Sequence, residues 1–140
     1  MNKQKGFTII ELIVVIAIIA VLAGIVLVNV TQYINKGKAA AIQGNLSTLL
    51  TNAAVYYDTP DNTYTGLAFC ATATSIVTAV NGAGGTLTCY GAASTDTNPQ
   101  AWCGVVPTMP SGGTYSSYCV DNTGYKGANV ACSATHFTCQ

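Results

Sequence analysis

Three sets of residues in this chain have the types and spacing to do chemistry. The first is Glu11, the sole charge among the 22 residues from Ile9 to Val30. That run, as a helix, spans about 30 Å, enough to cross a bilayer. A carboxylate inside such a segment costs about 2.5–3.5 kcal/mol on insertion scales, so it needs a partner and implies a function. The second set is the cysteines Cys70, Cys89, Cys103, Cys119, Cys132 and Cys139, all in the C-terminal part of the chain. Six thiols in a small Gly- and Thr-rich region read as a disulfide framework formed outside the cytoplasm. The third is Cys132-x3-His136-x2-Cys139, a rival metal reading of the last cysteines. Its spacing matches no familiar zinc pattern, and an oxidising compartment favours disulfides. Asp96 and Asp121 are candidate calcium ligands, but they lack the alternating spacing of a calcium loop, and turn formation accounts for them better. One His, one Glu and four scattered Asp assemble into no catalytic dyad or triad, so neither an enzyme, a cofactor nor a bound metal is expected.

The residues before Glu11 stand in a definite order. Lys3 and Lys5 are followed at once by Gly6, then Phe7-Thr8-Ile9-Ile10-Glu11-Leu12 and the apolar run. A secretory leader puts its small-residue cleavage site after the apolar core, and nothing of that kind closes this run. In this order the sequence resembles the type IV pilins and their relatives, the type II secretion pseudopilins. The resemblance extends to about Val55 and is silent on the rest. It implies a leader, residues 1–6, removed by a membrane-embedded prepilin peptidase that cuts between Gly6 and Phe7 and N-methylates Phe7. It also implies a homopolymer: a filament built through the apolar helix, with an inner-membrane assembly platform as a further partner and membrane lipid around the helix beforehand. The expected location is the cytoplasmic membrane, single pass with a cytoplasmic N-terminus, and then an extracellular pilus. Many members of the family carry Gly and Pro where this chain has Ala20 and Val28, which leaves Gly24 as the weak point of the helix.

Cleavage after Gly6 would create a new amine on Phe7, four residues before Glu11. Between staggered helices these two form a charge pair, and opposite charges attract far more strongly in a low-dielectric bundle than in water. A wrong register leaves both buried and unpaired, which is heavily penalised. Glu11 therefore reads as a register device for assembly, with the Thr8 hydroxyl in the same local network.

The elements that would position these residues follow from periodicity. The apolar run continues past the membrane length without a proline before Pro60. Ile42, Leu46, Leu49 or Leu50, Ala53 and Tyr57 mark one face of a helix, so residues 7–30 form an apolar half and residues 31–58 an amphipathic half. The whole helix would be about 75 Å long, ending at Asp58-Thr59-Pro60-Asp61. Residues 59–140 would make a disulfide-stapled head. In it, residues 66–80 predict a short second helix ended by Asn81 to Gly85. Residues 86–90, 101–106 and 115–120 predict strands, with an antiparallel hairpin between the last two. Asp121 to Gly124 is a turn, and residues 127–140 form a Thr-rich tail with weak strand character. The fold class is α+β: a long N-terminal helix packed on a small antiparallel sheet, a shape consistent with the family.

Six cysteines allow 15 pairings. The expectations are Cys103–Cys119 across the hairpin, Cys70–Cys89 between second helix and first strand, and Cys132–Cys139 closing the tail. Trp102, Tyr115 and Tyr118 are expected to pack in the sheet, His136 to sit on the surface, and the sequons at Asn29 and Asn45 to be chance. Half of the residues are apolar and 7% are charged. Without Lys3 and Lys5, three lysines face five acids, a formal charge of −2, and there is no Arg. That leaves nucleic-acid binding by a basic face of the isolated subunit without support. Three functions follow: a filament subunit serving adhesion, motility or DNA uptake; a pseudopilin or minor pilin of a secretion-like system; and a membrane-anchored binding domain that never assembles.

Overall fold

The computed structural model describes residues 6–58, 64, 73–91, 100–111 and 115–140. Helix α1 (Ile9–Tyr57) begins where the apolar run begins and is unbroken through Gly24. The chain divides into two compact units, Met1–Ile34 and Asn35–Gln140.

In the first unit the helix carries large apolar side chains on every side. Ile9, Leu12, Ile16, Leu22 and Leu27 are all more than half exposed. It is long and apolar enough to cross a membrane, and none of the apolar window is buried by the protein itself. The Thr31 hydroxyl donates back to the Leu27 carbonyl at 3.1 Å, which keeps this polar group satisfied within the helix.

In the second unit α1 becomes amphipathic, as its periodicity predicts. Ala39, Ile42, Leu46, Leu49 and Ala53 are buried on one stripe. On the other side Asn45, Thr48 and Thr51 donate to carbonyls one turn back. Helix α2 (Thr74–Gly82) buries Ile76 and Val80 in the same core. It ends in a Schellman arrangement: Gly85 N–H donates to the Val80 carbonyl and Gly84 N–H to that of Asn81. Gly84 takes the left-handed φ of +86° that this cap requires and that glycine adopts without steric penalty. The expected helical residues before Ala73 lie outside the described residues.

Four strands follow: β1 (Thr88–Gly91), β2 (Trp102–Val106), β3 (Tyr118–Asp121) and β4 (Lys126–Ala128). They form an antiparallel meander in the order β1-β2-β3-β4. The third strand starts later than the predicted Tyr115, at Tyr118. Ser116 N–H and Oγ both donate to Asn129 Oδ1, and Ser117 O accepts from Asn129 N–H. Strand β4 overlaps the start of the tail, whose pattern predicts only weak strand character.

Strand β2 is buried at every residue because both faces of the sheet are covered. Trp102 and Val106 with Val120 pack on the α1 stripe. At Gly104 the helix comes so close that a Cβ would sit 3.0 Å from a Leu49 methyl, which explains the glycine. On the other face Cys103, Val105 and Cys119 pack under Val130, Cys132 and Cys139 of the tail. The tail's ends pair with each other, Ala131 and Gln140 exchanging both backbone hydrogen bonds.

This covered face corrects two of the expected disulfides. The structure links Cys103 to Cys132 and Cys119 to Cys139, with Cα separations of 6.5 and 5.8 Å. Cys103 lies opposite Asp121 and Cys119 opposite Val105, so the two cysteines share a face but are diagonal neighbours. Diagonal positions stand about 7–8 Å apart, beyond the usual reach of a disulfide. Each instead bonds across the layer to the tail, which also overrides the local Cys132–Cys139 pairing. Cys89 is disulfide-bonded. The Cys70 of the third expected pair lies outside the described residues.

The bridges close loops with sequence separations of 29 and 20 residues, worth about 3–4 kcal/mol each on the loop-entropy model. Replacing Cys103 and Cys132 together with Ser should lower head stability by about that amount in non-reducing denaturation. Non-reducing peptide mapping of the unaltered protein should recover Cys103 linked to Cys132, and a Cys103–Cys119 peptide would refute this arrangement.

Candidate functional site

Gly6 and Phe7 precede the first helical residue and are exposed, Phe7 at 92%. The peptide bond between them lies in exposed, non-helical chain just before the helix. Thr8 then caps the helix: its carbonyl accepts from Leu12 N–H at 3.3 Å, the first bond of the helical ladder.

Thr8 and Glu11 form a reciprocal pair. Thr8 N–H donates to Glu11 Oε2 at 2.9 Å, and the Thr8 hydroxyl donates to the same oxygen at 2.8 Å. Glu11 N–H in turn donates to Thr8 Oγ1 at 3.3 Å. This is a capping box, in which N-cap and third helical residue satisfy each other's free N–H groups. The carboxylate also sits at the positive end of the helix, where a negative charge is favoured. The Thr8 hydroxyl and Glu11 carboxylate are thus joined, and the form explains their spacing: a residue three beyond the cap returns to it. Among the described residues, both of these side-chain bonds fall on Oε2, and none is recorded for Oε1.

The metal alternative fails on its ligands. Cys132 and Cys139 are both in disulfides to the sheet, and His136 Nδ1 lies 3.2 Å from its neighbour Thr135 Oγ1. No cluster of three or more His, Cys, Asp or Glu suited to a metal occurs among the described residues.

Asp121 has a role larger than the turn assigned from sequence. It is 2% exposed. Its Oδ1 accepts from Thr123 N–H at 2.9 Å, Thr123 Oγ1 at 2.6 Å and Tyr125 N–H at 3.3 Å, building the β3–β4 turn. Its Oδ2 accepts from Cys139 N–H at 2.9 Å, tying the tail to the sheet beside the Cys119–Cys139 bridge. Both oxygens are engaged by the protein, in the turn and on the tail; Asp96 lies outside the described residues. The Asp-x-Thr pattern was a legible turn signal, whereas a contact 18 residues away was not.

At the end of α1 aromatic rings gather. Tyr64 stacks on Tyr56 and Tyr57 at 6.4 and 5.3 Å between centroids and meets Trp102 at 6.0 Å. Burial pushes the Tyr64 phenol above its ordinary pKa. Tyr118 is raised too, first by burial and then by neighbouring Tyr115 and Tyr125. Trp102 and Tyr118 pack as expected, while Tyr115 is 39% exposed.

Comparison with known proteins bears on the N-terminus. Residues 1–27 match the family model for the prokaryotic N-terminal methylation motif. Over 47 residues the chain is 51% identical to the type IV major alpha-pilin of Moraxella bovis, covering 34% of this chain and 30% of that protein. The fimbrial protein Q of the same organism matches to the same extent. A fimbrial protein of Moraxella nonliquefaciens is 38% identical over 74 residues, 48% of each chain. The matches thus span less than half of each relative. No solved structure matches.

Proposed function

We propose that this chain, whose N-terminal segment is that of the type IV pilin family, is a structural subunit that polymerises through its apolar helix into a surface filament. The observation that carries the reading is the first half of α1: apolar on all sides, uncovered by its own protein, and headed by a single capped carboxylate. Such a surface is incompatible with water. Lipid covers it before assembly, and neighbouring copies replace lipid afterwards. Processing after Gly6 removes residues 1–6 and puts a methylated amine on Phe7. Glu11 then pairs with that amine on a neighbouring helix, fixing the stagger, while the capping box holds the carboxylate in place.

The remaining layout follows. Residues 7–30 form the filament core, residues 31–58 back the head, and residues 59–140 are the stapled head that faces outward. Prepilin peptidase and the inner-membrane assembly platform are the partners this route requires. The role is mechanical, not enzymatic.

Intact mass and N-terminal sequence of protein sheared from cells test this directly. The expected product begins at N-methylated Phe7 and sediments as high-molecular-weight material. A chain that still begins at Met1, or that stays in the membrane fraction, overturns the proposal and leaves an anchored surface domain.

A further inference from the structure

The head holds two separate apolar cores. The one on the α1 side gathers buried residues of both helices and of β2 and β3, Leu46, Leu49, Val80, Trp102 and Val106 among them, and no residue of the tail contributes to it. The other lies on the opposite face of the sheet and is small, with Cys103, Val105 and Cys119 as its buried members. Among the described residues, the segment 131–140 reaches this second core through two side chains, the half-cystines Cys132 and Cys139. Its packing on the sheet is therefore made by its own bridges.

The hydrogen bonds divide in the same way. Ala131 and Gln140 bond to each other, as do Ser133 and His136, so the tail is closed on itself. Among the described residues one hydrogen bond joins it to the sheet, from Cys139 N–H to Asp121 Oδ2. The Cys103 sulfur lies 3.9 Å from the His136 carbonyl, but a bridged sulfur has no proton to donate. Just before the tail the chain is anchored without any cysteine. Asn129 N–H donates to the Ser117 carbonyl, Asn129 Oδ1 accepts from Ser116, and the Ser117 hydroxyl donates to the Val130 carbonyl. Asn129 turns the chain there with a left-handed φ of 58°, a conformation that Asn tolerates. The segment thus has a fixed root, internal bonds of its own, and two covalent bridges as nearly its whole hold on the sheet.

We infer that residues 131–140 are a redox-operated strap, closed over the β2–β3 face when both bridges are formed and released on reduction while the α1-side core stays folded. Opening one bridge takes two electrons and two protons. A thiolate of a dithiol attacks one sulfur and the other leaves as a thiolate. The second thiol then resolves the mixed disulfide, so the dithiol departs as a disulfide and its two protons pass to the freed cysteines. Closure is the reverse, with a thiol–disulfide oxidoreductase of an oxidising compartment as the electron acceptor. Pairing of β2 with β3 keeps Cys103 and Cys119 on one face but diagonal, too far apart to bridge each other, so each waits for its tail partner. Release uncovers Val105, which is 3% exposed in the closed head. The strap goes beyond the filament role, because none of its residues belongs to the assembly helix.

Two preparations of the full-length protein in detergent test this. One is the natural chain reduced with dithiothreitol and blocked with iodoacetamide. The other carries Cys132→Ser with Cys139→Ser, which frees the tail without reductant and leaves the bridge at Cys89 intact. Off the sheet, so short a segment does not keep its own hydrogen bonds. Amide exchange at Ala131, Ser133 and Cys139 should therefore quicken about tenfold or more in both preparations. Exchange at Leu46, Leu49 and Val106 should stay as in the oxidised protein, and so should the emission of Trp102, the one tryptophan and a member of the α1-side core. Reoxidising the unblocked reduced chain with glutathione disulfide should restore Cys103–Cys132 and Cys119–Cys139. Loss of Trp102 emission or of Leu46 and Leu49 protection in either preparation overturns the proposal, because the bridges would then hold the whole head. So does a tail that stays protected in either, or reoxidation to other pairings of these four cysteines.

Discussion

Glu11→Gln should abolish filament formation while leaving the helix start and membrane insertion intact. Gln at the third helical position still completes a capping box, so the Thr8 pairing survives in neutral form. Insertion becomes easier, because a charge has been removed from the apolar segment. On the proposed assembly, what is lost is the partner for the amine of a neighbouring Phe7. Removing one member of a buried pair leaves the other uncompensated, at about 3–5 kcal/mol. At 1.4 kcal/mol per factor of ten, that amounts to a loss of about 100-fold or more in assembly. The measurement is the ratio of sheared filament to membrane-held subunit, with total subunit unchanged. Glu11→Ala should fail similarly in assembly and also fray the helix start, which amide exchange at Ile9 to Leu12 would register. A Gln variant that assembles at the original level would remove the charge pair from the account, whatever the N-terminal mass shows.

Asp121→Ala should destabilise the head by about 3–5 kcal/mol. The substitution strips the partner from three backbone N–H groups and one hydroxyl at once. Each buried donor left unsatisfied costs about 1–3 kcal/mol, and the tail loses its hydrogen bond to the sheet edge. The Cys119–Cys139 bridge keeps the tail tethered, so the loss should appear as early local opening of residues 131–140 before global unfolding. Asp121→Asn separates the two duties. One amide oxygen can still serve the turn, while the amide nitrogen faces another donor at Cys139 N–H, so an intermediate loss is expected. Non-reducing denaturation with amide exchange at Thr123, Tyr125 and Cys139 reads all three states. Wild-type stability in the Ala variant would show that the disulfides alone hold the tail.

Much of this molecule was legible from one dimension because its signals are local. The apolar run, the glutamate three residues past a threonine, and the 3–4 spacing of Ile42, Leu46, Leu49 and Ala53 each depend only on near neighbours in the chain. So does the turn at Asp121 to Gly124. A helix satisfies its backbone within itself, and a capping box closes within one turn. The sheet's strands were also approachable, since β-branched and aromatic clustering is a short-range pattern. Their ends were not, because the start of β3 is set beside Asn129, whose side chain takes the Ser116 N–H and hydroxyl.

The pairing of cysteines and the second duty of Asp121 belong to the tertiary structure alone. Cys103 and Cys119 are near in register yet diagonal, and the order of residues along two strands does not reveal that offset. Which thiol meets which was decided when the tail folded over the face of β2 and β3 that α1 leaves uncovered. The same is true of Gly104, whose missing side chain makes sense only beside Leu49. Local hydrogen bonding and periodicity set the long helix and its cap. Layer packing, which brings together residues up to 29 positions apart in a disulfide, set the architecture of the head.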